Sequence, residues 1–192
     1  MTVNKHKIII ITAPSGAGKT SIVHYLLQKY PGQLAFSVSA ATRKPRENEV
    51  NGRDYYFISE DAFKQKIHHN EFVEWEMVYE GKYYGTLQSE VERIWNMGKT
   101  PVLDVDVKGA LRILERYPHC SLSLFIQPPS VDELKKRLQS RGTETEESLA
   151  ARVNKAAYEL SFKDHFHHAV INKDLNTACA ETEGIIINYL NS

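Results

Sequence analysis

The stretch Ile8-Ile9-Ile10-Ile11-Thr12-Ala13-Pro14-Ser15-Gly16-Ala17-Gly18-Lys19-Thr20-Ser21 decides the fold of this chain. Four β-branched residues in a row predict a strand buried on both faces. The apolar spacing of Ile22, Val23, Leu26, Leu27 and Tyr30 predicts an amphipathic helix that Pro31-Gly32 stops. Between them lies a glycine-rich turn of the kind that cradles phosphate. Its backbone N–H groups converge on phosphate oxygens, Lys19 reaches the β and γ phosphates, and the Thr20 hydroxyl is placed to ligate Mg²⁺. The helix that opens here aims its positive dipole end at the same anion. Ala13 stands where the motif usually has its first glycine, a replacement that fits only at negative φ. Residues Ala13 to Ser21 are therefore expected to bind ATP or GTP, and the open question is what receives the phosphoryl group.

A chain of 192 residues fits one core, with room for a small insertion. Basic and acidic residues balance at 24 each, so no global field draws the protein to nucleic acid or to an anionic membrane. Cys120 and Cys179 lack metal-ligand spacing and read as free thiols, which suits a reducing compartment. The segment Met1 to Lys7 leads into an apolar run too short for a signal or a membrane span. These features predict a soluble, cytoplasmic protein.

Short apolar runs alternate with helix-period segments, the pattern of β-α units around a mostly parallel sheet. Strands are expected near 7–12, 101–106, 121–127 and 168–171. Ser130-Val131-Asp132-Glu133 reads as a capping box before Leu134 and Leu138, and a last helix carries Ala178, Thr182, Ile185, Ile186, Tyr189 and Leu190. The region from about Phe36 to Tyr84 departs from this rhythm. Phe36 to Ser39, the Asn51-Gly52 turn, Asp54 to Ile58, and Phe72 to Tyr79 predict short strands of a separate small sheet. The charged stretch Arg141 to Glu147 reads as a mobile loop. Trp75 and Trp95 are expected in the core, and His68, His69, His165, His167 and His168 at the surface or in packing.

Within the insertion, Thr42-Arg43-Lys44-Pro45-Arg46 sets two guanidiniums three residues apart across a stiff proline, a pair able to clamp phosphate. Tyr55 and Tyr84 add hydroxyl donors, and Gly85 would let a ligand approach the main chain. A solvated basic loop is the alternative reading of the arginines. Glu74 sits among strand-forming apolar residues, where a carboxylate needs a partner. Guanine presents adjacent N1–H and amino donors that a carboxylate accepts as a pair, whereas adenine offers an acceptor at N1. Ser39 and Thr86 could donate to guanine O6; an exposed place on an edge strand is the alternative for Glu74. Asp104 and Asp106, two residues apart in an extended strand, share a face at the carboxyl end of a core strand.

Together these motifs resemble the guanylate kinase family, and the resemblance covers nearly the whole chain. It is carried by Phe36-Ser37-Val38-Ser39 with Thr42-Arg43-x-Pro45-Arg46, Val50-Asn51-Gly52-x-Asp54-Tyr55, Glu71-Phe72-x-Glu74-Trp75, Tyr83-Tyr84-Gly85-Thr86, Leu103-Asp104-x-Asp106-x-x-Gly109 and Arg141-Gly142-Thr143-Glu144. Lys108 stands where many members have glutamine. The resemblance implies an α/β fold of the P-loop NTPase type, a parallel sheet flanked by helices with a small mixed-sheet GMP-binding insertion and a short lid. It implies one domain over 1–192, with core about 1–35 and 87–192, insertion about 36–86 and lid about 137–152. The implied reaction is phosphoryl transfer from MgATP to GMP or dGMP. Ser39, Glu74, Thr86 and Asp104 would read guanine, and Arg43, Arg46, Tyr55 and Tyr84, with Gly85, would hold the GMP phosphate. On the donor side stand the P-loop, Asn172 near adenine, and the catalytic set Lys19, Arg43, Arg137, Arg141 and Arg152. Mg²⁺ would sit on Thr20, with Asp104 and Asp106 acting through water. No nucleic acid or membrane partner is implied, and the protein would be a monomer or a homodimer. Rival readings are a kinase for another nucleoside monophosphate or a sugar phosphate, and a non-catalytic module holding a phosphorylated peptide, which an intact P-loop disfavours.

Overall fold

The computed structural model describes residues 6–140 and 146–192. The isoleucine run forms β1 (Ile8–Thr12), and its four isoleucines are 0% exposed. They alternate. Ile9 and Ile11 pack with Ile22, Val23 and Leu26 of α1 (Lys19–Lys29) and with Ala178 and Ile186 of α7 (Leu175–Asn191). Ile8 and Ile10 point the other way, to Val91 of α3 (Gln88–Asn96) and to Ala110 and Ile113 of α4 (Val107–Arg116). Burying such a side chain contributes about 1.5–3 kcal/mol, so this short segment holds both helical layers to the sheet.

Five strands make that sheet in the order β2 (Leu34–Phe36), β7 (Thr100–Asp104), β1, β8 (Ser121–Gln127), β9 (His168–Ile171), and all pairings are parallel. The chain leaves β1 toward one side and later fills the other. This puts a crevice at the carboxyl ends of β1, β7 and β8, where open α/β sheets take their ligands. The second sheet is mixed, in the order β4 (Tyr56–Phe57), β3 (Ala40–Ala41), β6 (Lys82–Leu87), β5 (Phe72–Tyr79). Its own small core is Phe63 of α2 (Glu60–His68) stacked on Phe72 at 4.3 Å between ring centroids, with Ala40 and Leu87. Thus the fold is α/β, with a parallel sheet between helices and a separate mixed sheet. Ser130 caps α5 (Val131–Gln139) by accepting from the Glu133 N–H, and α6 (Glu146–Leu160) packs beside it.

Four expectations are corrected. Phe36 does not join the small sheet; it ends the edge strand β2 paired with β7, and only Ala40–Ala41 crosses over. Strand Asp54 to Ile58 shrinks to Tyr56–Phe57 because the Asp54 carboxylate turns back to accept from Val50 N. The strand expected over 101–106 ends at Asp104, since Asp106 becomes the N-cap of α4 and accepts from Gly109 N at 2.8 Å. Trp75 is 37% exposed, because β5 is the outer strand of its sheet and the Tyr83 ring packs only at 6.2 Å.

Candidate active site

The turn between β1 and α1 depends on Gly16 and Gly18, at φ of 91° and 92°, in the region that excludes most side chains. Ala13 meets its condition: among the described residues Asn70 is the non-glycine with positive φ. A methyl group on Gly18 would lie 2.2 Å from Asn172 Nδ2. Asn172, 4% exposed at the end of β9, donates to Ala17 O at 2.8 Å. The residue implied beside adenine is thus a buried prop under the phosphate loop.

In front of the loop opens a cleft of about 1110 Å³. Ala13, Pro14, Ser15, Gly16, Gly18, Lys19, Thr20 and Ser21 form one wall of it, while Ala17 is buried behind them. Lys19 Nζ forms an ion pair with Asp104 and donates to Val105 O at 3.0 Å, so the end of β7 presets its ammonium over the cleft. Arg152 of α6 reaches the same wall and donates to Ser15 Oγ at 3.3 Å. Arg137 of α5 pairs instead with Glu133 at 3.1 Å, outside the cleft lining. Arg141 lies outside the described residues, as do 142–145 of the expected lid. Asp104 and Asp106 line the floor with Glu159 of α6, which the sequence reading missed. Glu159 is buried, Lys155 is 3.7 Å away, and burial raises its pKa.

Ser39, Arg46 and Tyr55 of the insertion line the opposite wall. Arg43 is not among the residues lining the cleft, and it is held in a fixed pose: Nη1 and Nη2 donate to the two Glu49 oxygens at 2.5 and 2.6 Å, and Nε to Tyr84 Oη at 3.1 Å. The guanidinium also lies over the Tyr55 ring at 5.0 Å. This paired contact holds the Glu49 carboxyl down at about 2. Glu49 is a second residue that sequence reasoning passed over, although its place six residues after Arg43 was open to view.

Glu74 is not on the surface. It is 7% exposed, and its Oε1 accepts from Thr86 N at 2.9 Å and Thr86 Oγ1 at 2.8 Å. Burial, with a smaller push from nearby Asp106, raises its pKa to about 7 against the opposing Thr86 bonds. A methyl on Gly109 of α4 would sit 2.7 Å from Glu74 Oε2, so α4 forms a close floor under this carboxyl. Packing also keeps Gly85 small: a side chain there would meet Glu74 O at 2.8 Å and Phe72 and Trp75 at 2.9 Å across the β5–β6 pair.

The guanylate kinase family model matches residues 5–189. A guanylate kinase of Bacteroides fragilis is 50% identical over 185 residues, 96% of this chain and 90% of that protein. One from Porphyromonas gingivalis is 46% identical over 184 residues, 96% of this chain and 98% of that protein. The crystal structure of guanylate kinase from Anaplasma phagocytophilum is similar to this fold at a TM-score of 0.76 and 25% identity, covering 97% of this chain and 87% of that one.

Proposed function

The chain belongs to the guanylate kinase family and is an ATP:GMP phosphotransferase, and we propose that its donor is MgATP, that dGMP serves as well as GMP, and that the reaction feeds purine nucleotide metabolism in the cytoplasm. The observation that carries this reading is one continuous cleft joining the P-loop and Lys19 to Ser39, Arg46 and Tyr55 of the insertion. Two anions are to meet there, so the work of the site is electrostatic.

An oxygen of the GMP phosphate attacks the γ-phosphorus in line; the bond to the β-γ bridging oxygen breaks, and ADP leaves with that electron pair. The attacking oxygen is already largely deprotonated near neutral pH, so no protein base is needed. Lys19, steered by Asp104 and Val105 O, spreads the charge of the transferring group, and Arg152 at the donor wall adds to it. Arg43 and Arg46, with the Tyr55 and Tyr84 hydroxyls, hold the acceptor phosphate, and Glu49 keeps the Arg43 fork oriented. Glu74, Thr86, Ser39 and Asp104 read the base. The exposed Thr20 hydroxyl, with Asp104 and Asp106 through water, offers Mg²⁺ the oxygen ligands it takes, and the ion when bound neutralises the β and γ phosphates. A coupled assay with GMP, dGMP, AMP, UMP, CMP and dTMP, run with and without Mg²⁺, tests the reading. Turnover of GMP and dGMP that requires Mg²⁺ is the expected result; equal turnover of AMP would overturn it.

A further inference from the structure

Glu90 lies in the first turn of α3, outside the cleft, and is 3% exposed. A buried carboxylate is costly unless its oxygens are paired. Arg93 supplies two bonds from the same helix, Nη2 to Oε1 at 2.7 Å and Nε to Oε2 at 2.9 Å, and would do so equally well at the surface. The other two bonds explain the burial. Oε1 accepts from Val38 N at 3.2 Å, and Oε2 accepts from Tyr56 Oη at 3.0 Å.

Both partners sit where the chain passes between sheets. Ser37 N still bonds Val102 O of the core sheet, whereas Ala40 is already paired with Tyr56 and Gly85 in the small sheet. Val38 N falls in the gap between the two ladders. The next residue, Ser39, accepts from Tyr56 N at 2.9 Å through its carbonyl. Val38, Ser39, Tyr56 and Glu90 therefore close a ring of hydrogen bonds. Ser39 and Tyr55, one residue from Val38 and Tyr56 respectively, face the cleft. The return crossing lies next to the same group in sequence, since α3 follows β6 directly and Glu90 is its third residue.

We propose that Glu90 is a positioning residue for the acceptor site, one buried carboxylate that fixes the segment carrying Ser39 and the strand that begins just after Tyr55 to a helix of the core. This rests on the acceptor roles assigned above to Ser39 and Tyr55. Glu90 touches neither substrate, so its loss is felt in how well GMP is held.

The test is steady-state kinetics of the full chain and of Glu90→Gln, Tyr56→Phe and Arg43→Ala. We expect Glu90→Gln to raise the KM for GMP about tenfold, and Tyr56→Phe to raise it by a smaller factor, while kcat and the KM for ATP stay within about twofold. A general loss of structure would move both KM values and kcat together. GMP KM values unchanged in both variants, or ATP KM values raised equally, would overturn the proposal. Should Glu90→Gln fail to fold, Tyr56→Phe decides alone. If Arg43→Ala raises the GMP KM while neither ring variant does, the Glu90 inference fails and the acceptor assignment stands; a wild-type chain inactive on GMP refutes both.

Discussion

Glu74 and Thr86 face each other across the β5–β6 pair, and both the amide and the hydroxyl of Thr86 donate to one carboxylate oxygen, at 2.9 and 2.8 Å. The carboxyl proposed to read the base is thereby held half satisfied, with its second oxygen against Gly109. Its raised pKa has two measurable consequences.

The folded chain holds the Glu74 proton more tightly than the unfolded chain, since burial raises the pKa from 4.5 to about 7. The stability this gives the unliganded enzyme is fully present below pH 4.5 and is lost as pH rises through about 7. Guanine donors select the ionised carboxylate, so GMP binding near pH 7 should release a proton from this group. Titration calorimetry in two buffers of different ionisation enthalpy should show more proton release for wild type than for Glu74→Gln. The GMP phosphate contributes equally to both. Glu74→Gln should also narrow discrimination against AMP by a factor corresponding to about 1–3 kcal/mol.

Gly109→Ala sets two effects against each other. Gly109 is the third residue of α4, where alanine is favoured over glycine by less than the roughly 1 kcal/mol of a helix interior, yet the added methyl would lie 2.7 Å from a buried carboxyl oxygen. The clash bears on Glu74, one of the groups proposed to read the base, so we expect a raised KM for GMP and an unchanged KM for ATP. Kinetics with each substrate varied in turn would show it; a more stable variant with unaltered GMP KM would mean that α4 yields without disturbing Glu74.

Lys19→Ala should all but abolish turnover and leave GMP binding nearly intact, because Lys19 is proposed to act on the donor phosphates and on the phosphoryl group in transfer. Losing a preorganised charge of this kind costs about 10²–10³ in rate. Calorimetry of GMP binding paired with turnover checks the split, and parallel losses in both would count against it.

Gly18→Ala should destabilise the loop and weaken ATP binding. The left-handed backbone alone costs an ordinary residue about 1–2 kcal/mol, and the methyl would displace Asn172, 2.2 Å away, from its bond to Ala17 O. Chemical denaturation and nucleotide titration should both report the loss. Asn172→Ala should reproduce part of it without touching the glycine.

By itself the sequence determined the elements whose signals are local. The isoleucine run, the P-loop and the spacing from Ile22 to Tyr30 specify a buried strand, a phosphate turn and a helix within about two dozen residues, because strand burial, glycine φ and helical period are written in neighbouring positions. The motifs also singled out Arg43, Arg46, Tyr55 and Glu74. Tertiary structure decided which sheet a strand joins and what each side chain rests on. Phe36 reads as a strand residue in either sheet, and pairing with Val102 settles the matter. Asn172 under Ala17 spans 155 residues of sequence, Glu90 to Val38 spans 52, and Gly109 against Glu74 joins a core helix to the insertion. No local pattern encodes such partners. Each is fixed by the cost of leaving a buried polar group unpaired, a cost that exists only after packing has removed the water.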